Sequence, residues 1–181
     1  MSVISFLPPQ SPPPPIWSFA GQIYTQVGVA THLLSRQEQD QIWINDWLFA
    51  LWLAHKGNTV AVDFRCQISA WQHWRDQVIV PWRRYRKRLK ASSMAGDEKA
   101  RRQYQRAKQA ELSLEWHDQQ YLWRHRSSLS AGPEPTTRDR EQCLSLSLQR
   151  LSGASTDTLS DSVSLLLSAL EACTDSASWS D

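Results

Sequence analysis

The chain has 181 residues, 41% hydrophobic and 21% charged, with a net charge of +2. That length suits one domain with tails, and that balance excludes a wholly disordered chain. Cys66, Cys143 and Cys173 are odd in number and form no CxxC pair, which argues against a disulfide framework or a zinc site and for a reducing compartment.

The N-terminus carries Val3, Ile4, Phe6 and Leu7 but no leading Lys or Arg, and prolines follow at once, so it does not read as a secretory signal. Pro8–Pro15 holds six prolines in eight residues and reads as a stiff, extended lead-in, with Pro14 and Pro15 suited to the mouth of a helix. From Ile16 the apolar period is helical: Phe19, Ile23 and Val27, then Ala30 and Leu34, with Gly28 as a break between two short helices. Asn45 is the expected N-cap of the next helix, which runs from Trp47 through Leu53 and stops at Gly57. Its apolar run, Trp47–Ala54, is eight residues, too short to span a bilayer and apolar all round, so it belongs at the centre of a core. The cytoplasm is the expected location, with no membrane partner.

After a connector at Asn58–Val62, a long helix is expected from Asp63 or Arg65. Its stripe of Trp71, Trp74, Val78, Trp82, Tyr85 and Leu89 reads as a packing seam, and Pro81 predicts a kink near Gln77–Val78. Ser92–Gly96 is a turn, Asp97 and Glu98 suit the next helix N-terminus, and a second long helix runs to Trp123 or His125. Ser127–Thr137 is a linker. Beyond it two weaker helices are legible, one at Leu144, Leu148 and Leu151, the other at Leu159, Val163, Leu166 and Leu170. The expected architecture is all-α. A proline-rich tail (1–15) leads into a compact domain of about five helices (16–126) built on a long antiparallel hairpin. A Ser-rich linker and acidic amphipathic tail (127–181), partly helical or disordered, follow.

Charge is segregated along the chain. Residues 75–108 carry twelve basic groups against Asp76, Asp97 and Glu98, whereas residues 109–181 carry five basic and eleven acidic groups. If the hairpin turns near Met94, residues whose numbers sum to about 188 lie level. Arg83, Arg84, Arg86, Lys87, Arg88 and Lys90 on one arm then meet Arg101, Arg102 and Arg106 on the other. This basic tip is either a surface for RNA or an acidic protein, or a solvated helix end. Trp82, Tyr85 and Tyr104 interleave with the cations and could stack on bases, but their spacing says that they pack first. At the far end, Arg75 or His73 is expected to pair with Glu111 or Glu115 as a structural lock, because partly buried acids need partners. A covering of the tip by the acidic helix at Leu159–Leu170 is a further possibility, on charge complementarity alone.

No GxGxxG, P-loop, HExxH or GxSxG motif occurs, and His117 and His125 do not share a helix face for a metal. No metal, cofactor or catalytic residue is therefore assigned. The ten Trp residues read as core and inter-helix filler. The expected function is a non-catalytic binding or adaptor protein. The alternative is an enzyme or small-ligand binder with a Trp-lined pocket holding Glu111, Glu115 and His73.

The segment from Trp17 to about Leu122 resembles a bacterial domain-of-unknown-function family, number 2390. The resemblance rests on an aromatic opening (Trp17-Ser18-Phe19, Ile23-Tyr24, Gly28-Val29) and on Ile44-Asn45-Asp46-Trp47-Leu48-Phe49 with Trp52-Leu53-Ala54 and Gly57. Next come Trp74, Val78, Pro81, Arg83, Arg84, Arg86, Arg88, Leu89 and Lys90, and last Ala110-Glu111-Leu112 with Glu115. It implies a small cytosolic proteobacterial helical protein without assigned activity, and no catalytic residues carry over.

Overall fold

The structure, a computed structural model, describes residues 14–94, 97–132 and 139–174. The proline-rich lead-in before Pro14 and the core of the Ser127–Thr137 linker lie outside the described residues. In chain order the elements are α1 (Pro15–Tyr24), α2 (Val29–Gln39), α3 (Ile44–His55), β1 (Thr59–Val60), α4 (Phe64–Gln67), α5 (Ser69–Met94), α6 (Glu98–Arg124), α7 (Arg126–Leu129), β2 (Ser130–Ala131), α8 (Arg140–Ser152) and α9 (Thr156–Thr174). The fold is all-α, its strands forming one two-residue antiparallel ladder that pairs Thr59 with Ala131 and Val60 with Ser130. No helix among the described residues is long and apolar enough to cross a membrane.

The described residues divide into two compact units, one of residues 68–118, the other of residues 14–67, 119–132 and 139–174. This differs from a single domain at 16–126 with an appended tail. The second unit is centred on α3, where every residue from Asn45 to Ala54 is buried. Against it pack α1, through Ile16, Phe19 and Ile23, and α8, through Leu144 and Leu148. Helix α9 lays Leu159, Val163, Leu166 and Leu170 over α8 and α1. The stretch expected to be a tail thus supplies much of this core, and the amphipathic stripe of α9 is buried within its own unit.

Local chemistry sets the breaks. Gly28 and Gly57 both take left-handed backbone, at φ +82° and +75°, which glycine adopts without a Cβ clash. Gly153, at φ +72°, ends α8 in the same way, and Asp139 starts that helix by accepting from the Gln142 amide at 2.8 Å. Trp43, not Asn45, occupies the cap of α3. Asn45 lies inside the helix, where its Oδ1 accepts from Gln119 Nε2 at 3.0 Å. Two-residue strands have no period to read, so β1 was not legible. Once formed, it is tied to α8: Val60 N donates to Ser147 Oγ at 3.1 Å, and Arg150 Nη1 donates to the Val60 carbonyl at 2.7 Å.

If α8 and α9 belong to the core, Leu148→Ala and Leu166→Ala should each lower the unfolding free energy by about 2–5 kcal/mol in denaturant titrations. An unpacked tail would give no change.

Candidate functional site

The first unit is the helical hairpin. Helix α5 runs unbroken through Pro81 to Met94, and Asp97 caps α6, its Oδ1 accepting from the amides of Lys99 at 2.8 Å and Ala100 at 3.1 Å. Side-chain pairs climb α5 while descending α6, so the arms are antiparallel: Trp71 and Arg75 reach Asp118, and Arg83 and Arg86 reach Glu111.

The pairs sit further toward the base of α6 than a turn centred on Met94 gives. Two causes act together. The helices end at Met94 and begin at Glu98, which moves the centre of the turn along the chain. Helical side chains also lean toward their own N-terminus, so α5 arginines lean to the base while α6 carboxylates lean to the tip.

At the base, Arg75 and Asp118 are both fully buried. Asp118 Oδ1 accepts from Arg75 Nε at 2.6 Å and from Trp71 Nε1 at 2.6 Å, and Oδ2 accepts from Arg75 Nη2 at 3.1 Å. Gln72 Oε1 takes a further Arg75 N–H at 3.3 Å. This two-pronged pair, closed by an indole, is the lock. Its acid is Asp118, which the levels drawn from sequence did not single out. His73 is exposed and lies outside it.

Further along, Arg83 bridges Glu111 at 3.5 Å and Glu115 at 3.1 Å. Arg86 Nε donates to Glu111 Oε2, and Arg86 Nη2 donates to Oε1 at 3.3 Å. The hydrogen bond that Arg86 donates to Glu111 raises the Arg86 pKa further, against the opposing effect of burial. Burial pushes the Glu115 carboxyl above its ordinary range, Arg83 pulls it down, and neighbouring Glu111 and Asp118 add to the rise. Glu111 and Glu115 therefore serve arginines. His73 is exposed.

Arg83 and Arg86, counted among the tip cations, are thus half-buried struts. Arg101 is exposed and pairs with Glu98 at 2.8 Å. The exposed cations Arg84, Arg88, Lys90, Arg102 and Arg106, joined by Lys99 and Lys108, have no carboxylate partner among the described residues. Lys87 is exposed as well.

The Trp stripe is not the seam. In α5 the buried side chains are Arg75 and Ile79, and in α6 Ala100, Ala107, Ala110 and Glu111 are among the buried ones. The small alanines leave room for long arginine stems between the helices. Trp71, Trp74, Val78 and Trp82 are half-buried along one flank, Trp71 and Trp74 stacking at 4.2 Å, and Tyr85 is 39% exposed. Leu112 of α6 is exposed. Elsewhere, in the second unit, His32 Nε2 and Ser162 Oγ lie 2.8 Å apart. Burial lowers the pKa of His32, as it does that of His55, which lies beside Phe19.

A family model described as "Protein of unknown function (DUF2390)" matches residues 15–122, and the chain belongs to that family. No curated protein and no solved structure shows significant similarity to it.

Two outcomes follow from the lock and its neighbours. Asp118→Asn removes the carboxylate charge that Arg75 meets through Nε and Nη2 and should cost about 3–5 kcal/mol, whereas Arg75→Met with Asp118→Leu should recover most of that loss in the same denaturant titration. For Glu115 the folded pKa is raised, so its contribution favours the fold at low pH and is lost as pH rises from the ordinary carboxylate range through the raised one. Glu115→Gln removes that slope: its Tm relative to the parent should become more positive from about pH 4 to about pH 7, across the carboxylate range.

Proposed function

We propose that the protein is a non-catalytic binding protein of the cytoplasm whose hairpin tip takes the phosphate backbone of RNA. The observation that carries this is the sorting of charge on the hairpin. The acids of its seam, Glu111, Glu115 and Asp118, hold Arg83, Arg86 and Arg75. The acids of its tip are occupied locally, Asp97 as a cap and Glu98 with Arg101. Seven exposed cations then remain without carboxylate partners among the described residues: Arg84, Arg88, Lys90, Lys99, Arg102, Arg106 and Lys108. A set of one sign this dense repels itself and is relieved by a polyanion, whose bound counterions it releases. The free state of Cys66, Cys143 and Cys173 supports a reducing compartment.

The test is retention on heparin and on RNA as salt is raised. Replacing Arg84, Arg88, Arg102 and Arg106 with Glu should abolish most retention and lower the slope of log affinity against log salt by about 3. These four are exposed, so the variant should keep the parent's helical circular dichroism, unlike charge reversal at Arg83 or Arg86. A folded variant that binds as the parent does would make the tip mere solubility. Retention from lysate that survives nuclease would assign it to an acidic protein.

A further inference from the structure

We infer that the ligand of the tip is a single strand of nucleic acid, one base of which stacks on Tyr85 while Arg84 and Arg88 hold the flanking phosphates. This rests on the proposed RNA-binding reading and adds the state of the strand and the base contact.

Tyr85 carries the argument. It is 39% exposed, whereas the other aromatics of α5, Trp71, Trp74 and Trp82, are half-buried. Residues three and four apart on a helix are neighbours, so Tyr85 is surrounded by Pro81, Trp82, Arg88 and Leu89. Trp82 meets it edge-on, ring centroids 5.8 Å apart at 77°, which braces the phenol from the seam side and leaves its outer side to solvent. On that outer side Pro81, Arg84 and Arg88 are all exposed. Arg84 and Arg88 are themselves four apart and lie together, and neither has a carboxylate partner among the described residues.

An aromatic side chain held by its neighbours and bordered by unpaired cations is the element from which single-strand sites are built, since every base has a π-face and every nucleotide a phosphate. A duplex hides those faces within its stack and offers only phosphates, to which Tyr85 adds nothing. The rotation of α5 that buries Arg75 and Ile79 is what places this ring outside: had the Trp stripe been the seam, Tyr85 would lie between the helices.

The experiment compares a short oligouridine, the corresponding RNA duplex and inorganic polyphosphate of matched charge, for the full-length parent, Tyr85→Leu and Tyr85→Phe. Leucine keeps the apolar packing against Trp82 and removes the π-face; phenylalanine keeps both. Tyr85→Leu should bind oligouridine on the order of 10-fold more weakly and polyphosphate as the parent does, while Tyr85→Phe retains oligouridine binding. Should Tyr85→Leu misfold, the parent alone decides: stacking predicts that oligouridine stays bound at salt that releases polyphosphate. Equal affinity of Tyr85→Leu and parent for oligouridine, tighter binding of the duplex, or co-release of oligouridine and polyphosphate by salt would overturn the stacked single strand and leave the basic tip standing. If the parent binds none of the three probes, the underlying reading fails as well.

Discussion

The hairpin depends on burying one arginine. Arg75 and Asp118 are fully buried and paired through two guanidinium N–H groups, with the Trp71 indole on the same carboxylate. A charge in such a place is tolerable only with a matched and hydrogen-bonded counter-charge, so the pair admits few alternative rotations or slips of α5 on α6. The remaining contacts obey the same phase. Ile79, Arg83 and Arg86 follow Arg75 along one face of α5, and Glu115 and Glu111 precede Asp118 along one face of α6. The seam is therefore built from ion pairs and alanines, with specificity of register as its evident return.

That phase decides the surface. Because the long basic side chains turn inward at Arg75, Arg83 and Arg86, the aromatic stripe is rotated to a flank and the remaining cations face outward. Charges that appear equivalent along the sequence divide into struts, which a carboxylate neutralises, and free cations, which a ligand can neutralise. The proposed RNA surface and the stacked base at Tyr85 both arise from that division.

The second unit shows the same lesson in neutral groups. A Ser-rich segment reads as solvated, yet Ser147 is buried, accepts from Val60 N, and donates to the Cys143 carbonyl at 2.7 Å; Ser162 is buried beside His32. A hydroxyl that can return its proton to a carbonyl one helical turn back is cheap to bury, so the polarity of α8 and α9 did not keep them out of the core. Their buried leucines, spaced by three and four, were the better guide.

By itself the sequence determined the local features: the helical periods, the breaks at Gly28 and Gly57, the acidic start of the second arm at Asp97 and Glu98, the two long antiparallel arms, and the concentration of positive charge between residues 75 and 108. These are legible because each is settled within a turn or two of the chain. Only the tertiary structure decided which face of α5 is buried, that Asp118 takes Arg75, that Asn45 meets Gln119, and that α8 and α9 complete the core around α3. The physical reason is that a buried ion pair or hydroxyl inverts the rule by which apolar residues mark the inside. Whether a polar side chain can be buried depends on a partner that lies far away in the chain and that no local spacing reveals.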